Sequence, residues 1–418
     1  MSTAEIASNP LKSKWIQLVL GVICMMSISS PQYVWALFTK PIMGQLGVSL
    51  TELQVTFSIL IVLQTFFSPF QGFLVEKFGP RLLLSVGTVL TGLSWVLSAN
   101  LTTVSNLYIT YGVLGGLGTG IVYIGVVGLM VRWFPNNRGF AVGMVAAGYG
   151  IGALLTTFPI ADSLASSGLQ GTLTFFGYVI GAVGLLAAQG IRVPHADLVQ
   201  TTSQVQAAAS GIAPKTMLKT PVFWLMFLMM SMMSTSGLMV ISQMGAFAKD
   251  FGITGTMVFG MAALPLALTI DRVTNGFTRP FFGWISDKIG REYTMTIAFG
   301  LEAVAMFVWV MTRSDPVLFV LMSGVVFFGW GEIFSLFPST LTDTFGQKHA
   351  TTNYGFLYMA QGVGSIIGGP IAAYIHGATE SWMPVFAIMI ALDATAAILA
   401  FFVLRPMRAK YIQSAVYS

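Results

Sequence analysis

Twelve runs of mainly apolar residues recur along the chain, at approximately 15–39, 52–75, 82–101, 105–131, 139–161, 171–191, 221–248, 257–282, 293–312, 316–342, 352–375 and 382–404. Each is long enough to cross the roughly 30 Å hydrocarbon core of a bilayer as an α-helix, for which about 20 residues suffice. Only 8% of the 418 residues are charged and 55% are hydrophobic, whereas a soluble domain carries about a quarter charged residues. That deficit excludes a soluble enzyme, a nucleic-acid-binding protein and a disordered chain, because none could keep so much apolar surface from water. The expected class is therefore an all-α membrane protein with twelve transmembrane helices, surrounded by lipid. No soluble domain or catalytic constellation suggests an enzyme.

The basic residues set an orientation. With the N-terminus inside, fifteen of the twenty Lys and Arg fall in cytoplasmic segments and three (Lys40, Lys249 and Arg313) on the far side; Arg272 and Arg279 lie within a span. Such asymmetry follows the positive-inside rule, so both termini are expected in the cytoplasm and the net charge of +5 is no nucleic-acid signal. The first run lacks a small-residue cleavage site and reads as a retained span. Cys24 has no partner for an internal disulfide, and His195, His349 and His376 lack metal-ligand spacing, so neither a metal nor a cofactor is expected. The string Gly148-Tyr-Gly150-Ile-Gly-Ala153 satisfies a dinucleotide fingerprint but lies inside a lipid-length run with no strand before it. No ATP-binding P-loop string is present, so gradients are expected to drive any transport.

The longest polar stretch, 192–220, contains TTSQVQAAAS and divides the spans six and six. The expected organisation is an N-terminal half at 1–191, a cytoplasmic linker at 192–220, a C-terminal half at 221–404 and a cytoplasmic tail at 405–418. The halves echo one another. Gly72-Phe-Leu-Val-Glu76-Lys77-Phe-Gly79-Pro-Arg81 follows span two, and Gly283-Trp-Ile-Ser-Asp287-Lys288-Ile-Gly290-Arg291 follows span eight 211 positions later (72 to 283). Arg132-Trp-Phe-Pro-Asn-Asn-Arg138 and Asp343-Thr-Phe-Gly-Gln-Lys-His349 repeat at the same 211-residue separation. Repeated halves around a central site are a transporter architecture.

The paired Gly-x-x-x-Asp/Glu-Lys-x-Gly loops resemble the inter-helix motif of the major facilitator superfamily, over the whole chain. Within it, the strings Gln32-Tyr33-Val-Trp35, Gly120-Ile-Val-Tyr123, Gly148-Tyr149-Gly150, Asn275-Gly-Phe-Thr-Arg279-Pro280, Trp330-Gly331 and Asn353-Tyr354-Gly355-Phe356 resemble the oxalate/formate antiporter branch and, more distantly, proton-linked monocarboxylate transporters. The resemblance implies two pseudo-symmetric six-helix bundles, a multi-pass monomer in the cell membrane, and an aromatic cage with a span-eight arginine holding a carboxylate. Carried over, the substrate-binding candidates are Arg279, Tyr33, Trp35, Tyr123, Tyr149, Trp330, Tyr358 and Gln361. The chain departs from the antiporter pattern at Gln361, which matches a lysine there, at Phe334, which matches a tyrosine, and at Glu332, which matches a small neutral residue.

Six ionisable residues fall well inside spans: Asp271, Arg272, Arg279, Glu302, Glu332 and Asp393. Each costs something like 2.5–3.5 kcal/mol in hydrocarbon and so marks a candidate site. Arg279 offers a planar fork of donors that can grip a carboxylate with two parallel bonds. Asp271, Asn275 and Arg279 are four apart and share one side of a helix. Arg272 pairs with Asp271 as an outer gate, or the two pair only to survive burial. Glu332 is a proton-carrier candidate, since burial favours its neutral form and a nearby arginine its charged form. Glu302 and Asp393 are expected to be scaffold groups. Arg272 and Arg279 balance Asp271 and Glu332, which suits a monocarboxylate carried with a proton better than a dianion. Oxalate/formate exchange, with Arg272 as second cation, is the alternative; a multidrug or sugar carrier of the same fold ranks below both.

Overall fold

In a computed structural model, which describes residues 11, 13–194 and 211–417, all twelve apolar runs contain helix. The TTSQVQAAAS run and His195 lie outside the described residues. Among the described residues, nine helices are long and apolar enough to cross a membrane, and the pair Glu52–Thr65 and Ser68–Phe78, bent by 49°, makes span two. The 53-residue helix Arg138–Gly190 turns at Gly168, whose φ of 68° is not helical, and so supplies spans five and six. Span eight, Ala263–Ile289, is the twelfth; Asp271, Arg272, Arg279, Asp287 and Lys288 dilute its apolar character.

Local sequence explains where these helices begin and end. Ser49 and Glu52 form a reciprocal capping box at the start of span two. Asp315 caps span ten by accepting from the Val317 and Leu318 N–H groups at 2.8 and 3.0 Å. Between spans two and three, and again between eight and nine, the chain reverses at Gly79 and Gly290 with φ of 88° and 101°. These glycines hold the same place in the 211-residue repeat, and other L-residues resist that backbone.

Several elements differ from the sequence reading. Span one is interrupted, running as Lys14–Ser27, Ser30–Tyr33 and Trp35–Leu46. Span ten breaks between Pro316–Trp330 and Ile333–Phe345, and span four contains a π-helical stretch at Tyr108–Leu114. Span eight starts six residues later than expected (257 against 263), because β1 (Met257–Val258) and β2 (Met261–Ala262) pair as an antiparallel hairpin. Phe259 and Gly260, at φ of 51° and 78°, make the two-residue turn that this pairing demands. After Leu404 the chain continues as the helix Arg405–Tyr417.

The chain forms two compact units. The described residues of the first fall within Met1–Pro135, Met144–Ser203 and Gln347–Met359, and those of the second within Asn136–Gly143, Gln204–Gly346 and Ala360–Ser418. Each unit thus includes a short helix start from the other sequence half. In the first, the helix beginning at Ala350 lies directly on span two: a Cβ on Gly72 would sit 2.7 Å from the Thr351 carbonyl oxygen, and one on Gly355 2.5 Å from that of Ser68. In the second, the start of span five lies on span eight: a Cβ on Gly283 would collide with the Gly139 carbonyl, and one on Gly143 with that of Arg279. Without a hydrophobic force between helices in lipid, such close approach lets dispersion hold them. The glycine-rich stretches of spans four and eleven serve the same purpose, with Gly118 against Thr91 and Gly364 against Ser234.

Gly283→Val is therefore expected to cost about 1–3 kcal/mol through overpacking, lowering the apparent melting temperature in detergent. Gly300→Ala, where nothing lies within 4 Å, should leave it unchanged or raise it slightly.

Candidate functional site

The acids of the two repeated loops do the same physical work in their respective units. In the second unit, Asp287 accepts from the backbone N–H groups of Gly139 and Phe140 at 3.0 and 2.9 Å, capping the helix that begins at Arg138. In the first, Glu76 accepts from the Thr352 N–H at 2.9 Å and from its hydroxyl at 2.7 Å, on the helix that begins at Ala350. Each carboxylate thus meets orphan donors and the positive end of a helix dipole. Around Asp287 a charge network closes: Arg291 reaches Asp287 at 2.7 Å and Asp343 at 2.8 Å, and Asp343 also pairs with Arg138. Around Glu76 the neighbour is His349, whose Nδ1 lies 3.5 Å from Oε2.

Span eight positions the anchor candidate. Arg279 is 2% exposed; its Nη2 donates to the Asn275 side-chain oxygen at 2.8 Å, one turn back. Its guanidinium carbon stands 4.6 Å from the centre of the Phe334 ring, and Trp330 meets Phe334 edge-on at 5.8 Å. Trp330 is itself fixed by an Nε1–H donation to the Met233 carbonyl at 2.8 Å, in space left by Gly237. A neutral amide and an aromatic face therefore hold the guanidinium. Asp271 is buried on the same helix, while Arg272, the next residue, is exposed. Among the described residues Arg272 and Asp271 form no ion pair, because adjacent helical positions diverge by about 100°. Gln361 is 7% exposed, and its side-chain oxygen meets no hydrogen-bond donor.

The first unit gathers the tyrosines. Tyr33 meets Tyr149 edge-on at 5.4 Å, Tyr149 meets Tyr123 edge-on at 5.5 Å, and Tyr123 stacks on Tyr358 at 4.8 Å. The Tyr149 hydroxyl donates to Gln32 at 2.6 Å and accepts from Gln64 at 3.2 Å. Four predicted cage residues are therefore contiguous, with Tyr354 beside Tyr358 at 5.7 Å. Trp35 is elsewhere. The helix breaks at Val34 and restarts at Trp35, whose indole packs on Tyr111 at 4.8 Å and Phe57 at 6.1 Å in the apolar core of that unit.

Glu332 sits at the break of span ten, wholly buried, with neither carboxyl oxygen hydrogen-bonded. Glu302 is equally buried and unbonded, and Asp393 accepts a hydrogen bond from Ser236 at 3.0 Å. Sequence reasoning did not foresee Gln64 against Tyr149, or Asp343 as the hub of a charge network. The 211-residue repeat, which puts Glu76 opposite Asp287 and His349 opposite Arg138, was the available signal.

The geometry is that of a membrane carrier, and comparison agrees. The family model of the Major Facilitator Superfamily matches residues 18–270 and 266–415. The chain belongs to this superfamily: it is a multi-pass membrane transporter of twelve helices in two six-helix bundles, and not an enzyme. It is 35% identical over 399 residues to the Oxalate:formate antiporter of Oxalobacter formigenes, covering 95% of this chain and 93% of that one, which places it in that branch. Monocarboxylate transporter 13 of Bos taurus is more distant, at 22% identity over 79% of this chain and 75% of its own. Among solved structures, the proton:xylose symporter XylE bound to 6-bromo-6-deoxy-D-glucose shares the fold, with a TM-score of 0.72 over 94% of this chain and 96% of that one at 15% identity.

If Asn275 aims Arg279, Asn275→Ala should raise the KM for a carboxylate about tenfold, the equivalent of one hydrogen bond of about 1.4 kcal/mol. Asn275→Asp should instead weaken anion uptake further by neutralising the guanidinium.

Proposed function

We propose that the protein carries a small organic monocarboxylate across the membrane together with a proton, by alternating access. The observation that carries this reading is Arg279, 2% exposed within a membrane span, with Nη2 on the Asn275 side-chain oxygen and its guanidinium over the Phe334 ring. A guanidinium kept in that setting favours a planar anion, which it can meet with two charge-assisted bonds of about 1.5–3 kcal/mol each. Arg279 anchors the carboxylate, while Phe334 and Trp330 keep water from it. Tyr33, Tyr123, Tyr149 and Tyr358, contiguous in the first unit, are the aromatic candidates there, and Glu332 takes the proton. The basic ends of the helices and both termini face the cytoplasm of a cell membrane, and the carrier works as a monomer.

A second reading, oxalate/formate exchange, is favoured by the 35% identity to the Oxalate:formate antiporter. It needs a second cation for the dianion, because Gln361 is neutral, and assigns that role to Arg272.

Uptake of labelled oxalate, formate, acetate and lactate into proteoliposomes, with and without an inward proton gradient and with and without internal oxalate, separates the two. Monocarboxylate uptake stimulated by the gradient and abolished in Glu332→Gln is the expected result. Oxalate uptake only by exchange, lost in Arg272→Gln, would replace it with the second reading.

A further inference from the structure

Two acids assigned by the sequence to the scaffold, Glu302 of span nine and Asp393 of span twelve, stand out once they are placed. Both are 0% exposed, as is Glu332 at the break of span ten. Span nine packs against both span ten and span twelve. Gly329 gives Glu302 its place: a Cβ there would sit 2.7 Å from the Glu302 Cβ, so the glycine leaves the acid its volume. Glu332 follows Gly329 by three residues with its backbone still helical (φ −67°, ψ −17°), which turns it toward the same face of span nine. Span twelve, which carries Asp393, packs against span nine, and span eight, which carries Arg279, packs against both nine and ten; electrostatic coupling of Glu302 to Asp393 and Glu332, and of Glu332 to Arg279, accords with that packing. Span seven contributes the Ser236 hydroxyl, which donates to one Asp393 oxygen. The other Asp393 oxygen and both oxygens of Glu302 and Glu332 meet no hydrogen-bond partner.

Three carboxylates in such a place cannot all be charged. Each isolated ion buried in an apolar surrounding is costly without a partner, and like charges within reach of one another add repulsion. One arginine offsets one charge at most. A divalent cation is no better answer, since among the described residues no group of three acids, histidines or cysteines is spaced to hold a metal ion. The ligand that fits buried carboxyl oxygens without a donor is the proton.

We propose that Glu302, Glu332 and Asp393 form one buried proton-binding site in the second unit, loaded and emptied in the transport cycle. This deepens the proton-coupled reading and rests on it for the coupling, but not for the site. Protons are shared among the three groups, so Glu332 is the member beside Arg279 and the other two are its reservoir. Binding of a carboxylate at Arg279 removes that cation's pull on Glu332 and raises the proton occupancy of the cluster.

The test is infrared difference spectroscopy of the purified full-length protein during a pH titration, first without substrate and then with sodium formate. The expected result is a protonated-carboxyl C=O band that disappears as pH rises, loses one component in Glu302→Gln and in Asp393→Asn, and strengthens at fixed pH when formate is added. Asp162→Asn, an exposed acid, should titrate as wild type. A band that does not change with pH, or a titration in Glu302→Gln and Asp393→Asn identical to wild type, would overturn the site. Should Glu302→Gln fail to fold, Asp393→Asn, which keeps an acceptor for Ser236, decides alone. A titrating band that ignores formate, with no carboxylate uptake in proteoliposomes, would sink the proposed substrate and leave the proton site standing.

Discussion

A charged group placed in hydrocarbon must either be neutralised in place or be kept for use, and this constraint sorts every ionisable residue of the spans. At one end of the helices the charges are neutralised in place. Asp287 and Glu76 are absorbed by the N-terminal donors of helices that begin at Arg138 and Ala350, and Asp343 by Arg138 and Arg291. Removing the carboxylate of Asp343 would break its buried ion pairs with Arg138 and Arg291, a kind of change that typically costs about 3–5 kcal/mol. The glycines at positions 72, 139, 143, 283 and 355 belong to the same solution, because the acids reach those N–H groups only where backbones touch.

Deeper along the spans the charges are not cancelled in this way. Arg279 is held by an amide and an aromatic ring, and Glu302, Glu332 and Asp393 have carboxyl oxygens without donors. The difference between the two sets is chemical. An acid capping a helix has a fixed structural partner, whereas the proposed anion and proton sites lie where an arginine rests on an amide and acids have oxygens without donors.

Much of this was legible in the sequence. Apolar run length gave the twelve spans, and the 211-residue repeat pointed to Glu76 and Asp287, because periodicity and spacing are carried by the chain itself. The breaks were less legible. Span one is interrupted around Ser29 and Val34, where Pro31 removes a backbone donor, and span ten at Gly331. The break at Val34 explains why Tyr33 joins Tyr149 while Trp35, two residues on, faces an apolar core. Asp271 and Arg272 could not be separated by composition; helical geometry turns one inward and the other out. The grouping of Glu302 and Asp393 with Glu332 depends on how spans nine, ten and twelve pack, which hydropathy does not encode.

Arg279 as the anchor of a carboxylate is the claim on which the functional reading turns. The most direct measurement is calorimetric titration of acetate and of an uncharged amide of the same size, acetamide, into the purified wild-type protein, Arg279→Lys and Arg279→Gln. Wild type should bind acetate and not acetamide, the lysine variant should bind acetate more weakly because a point charge replaces a fork, and the glutamine variant should not bind it. Acetate binding in Arg279→Gln with wild-type affinity would contradict the assignment.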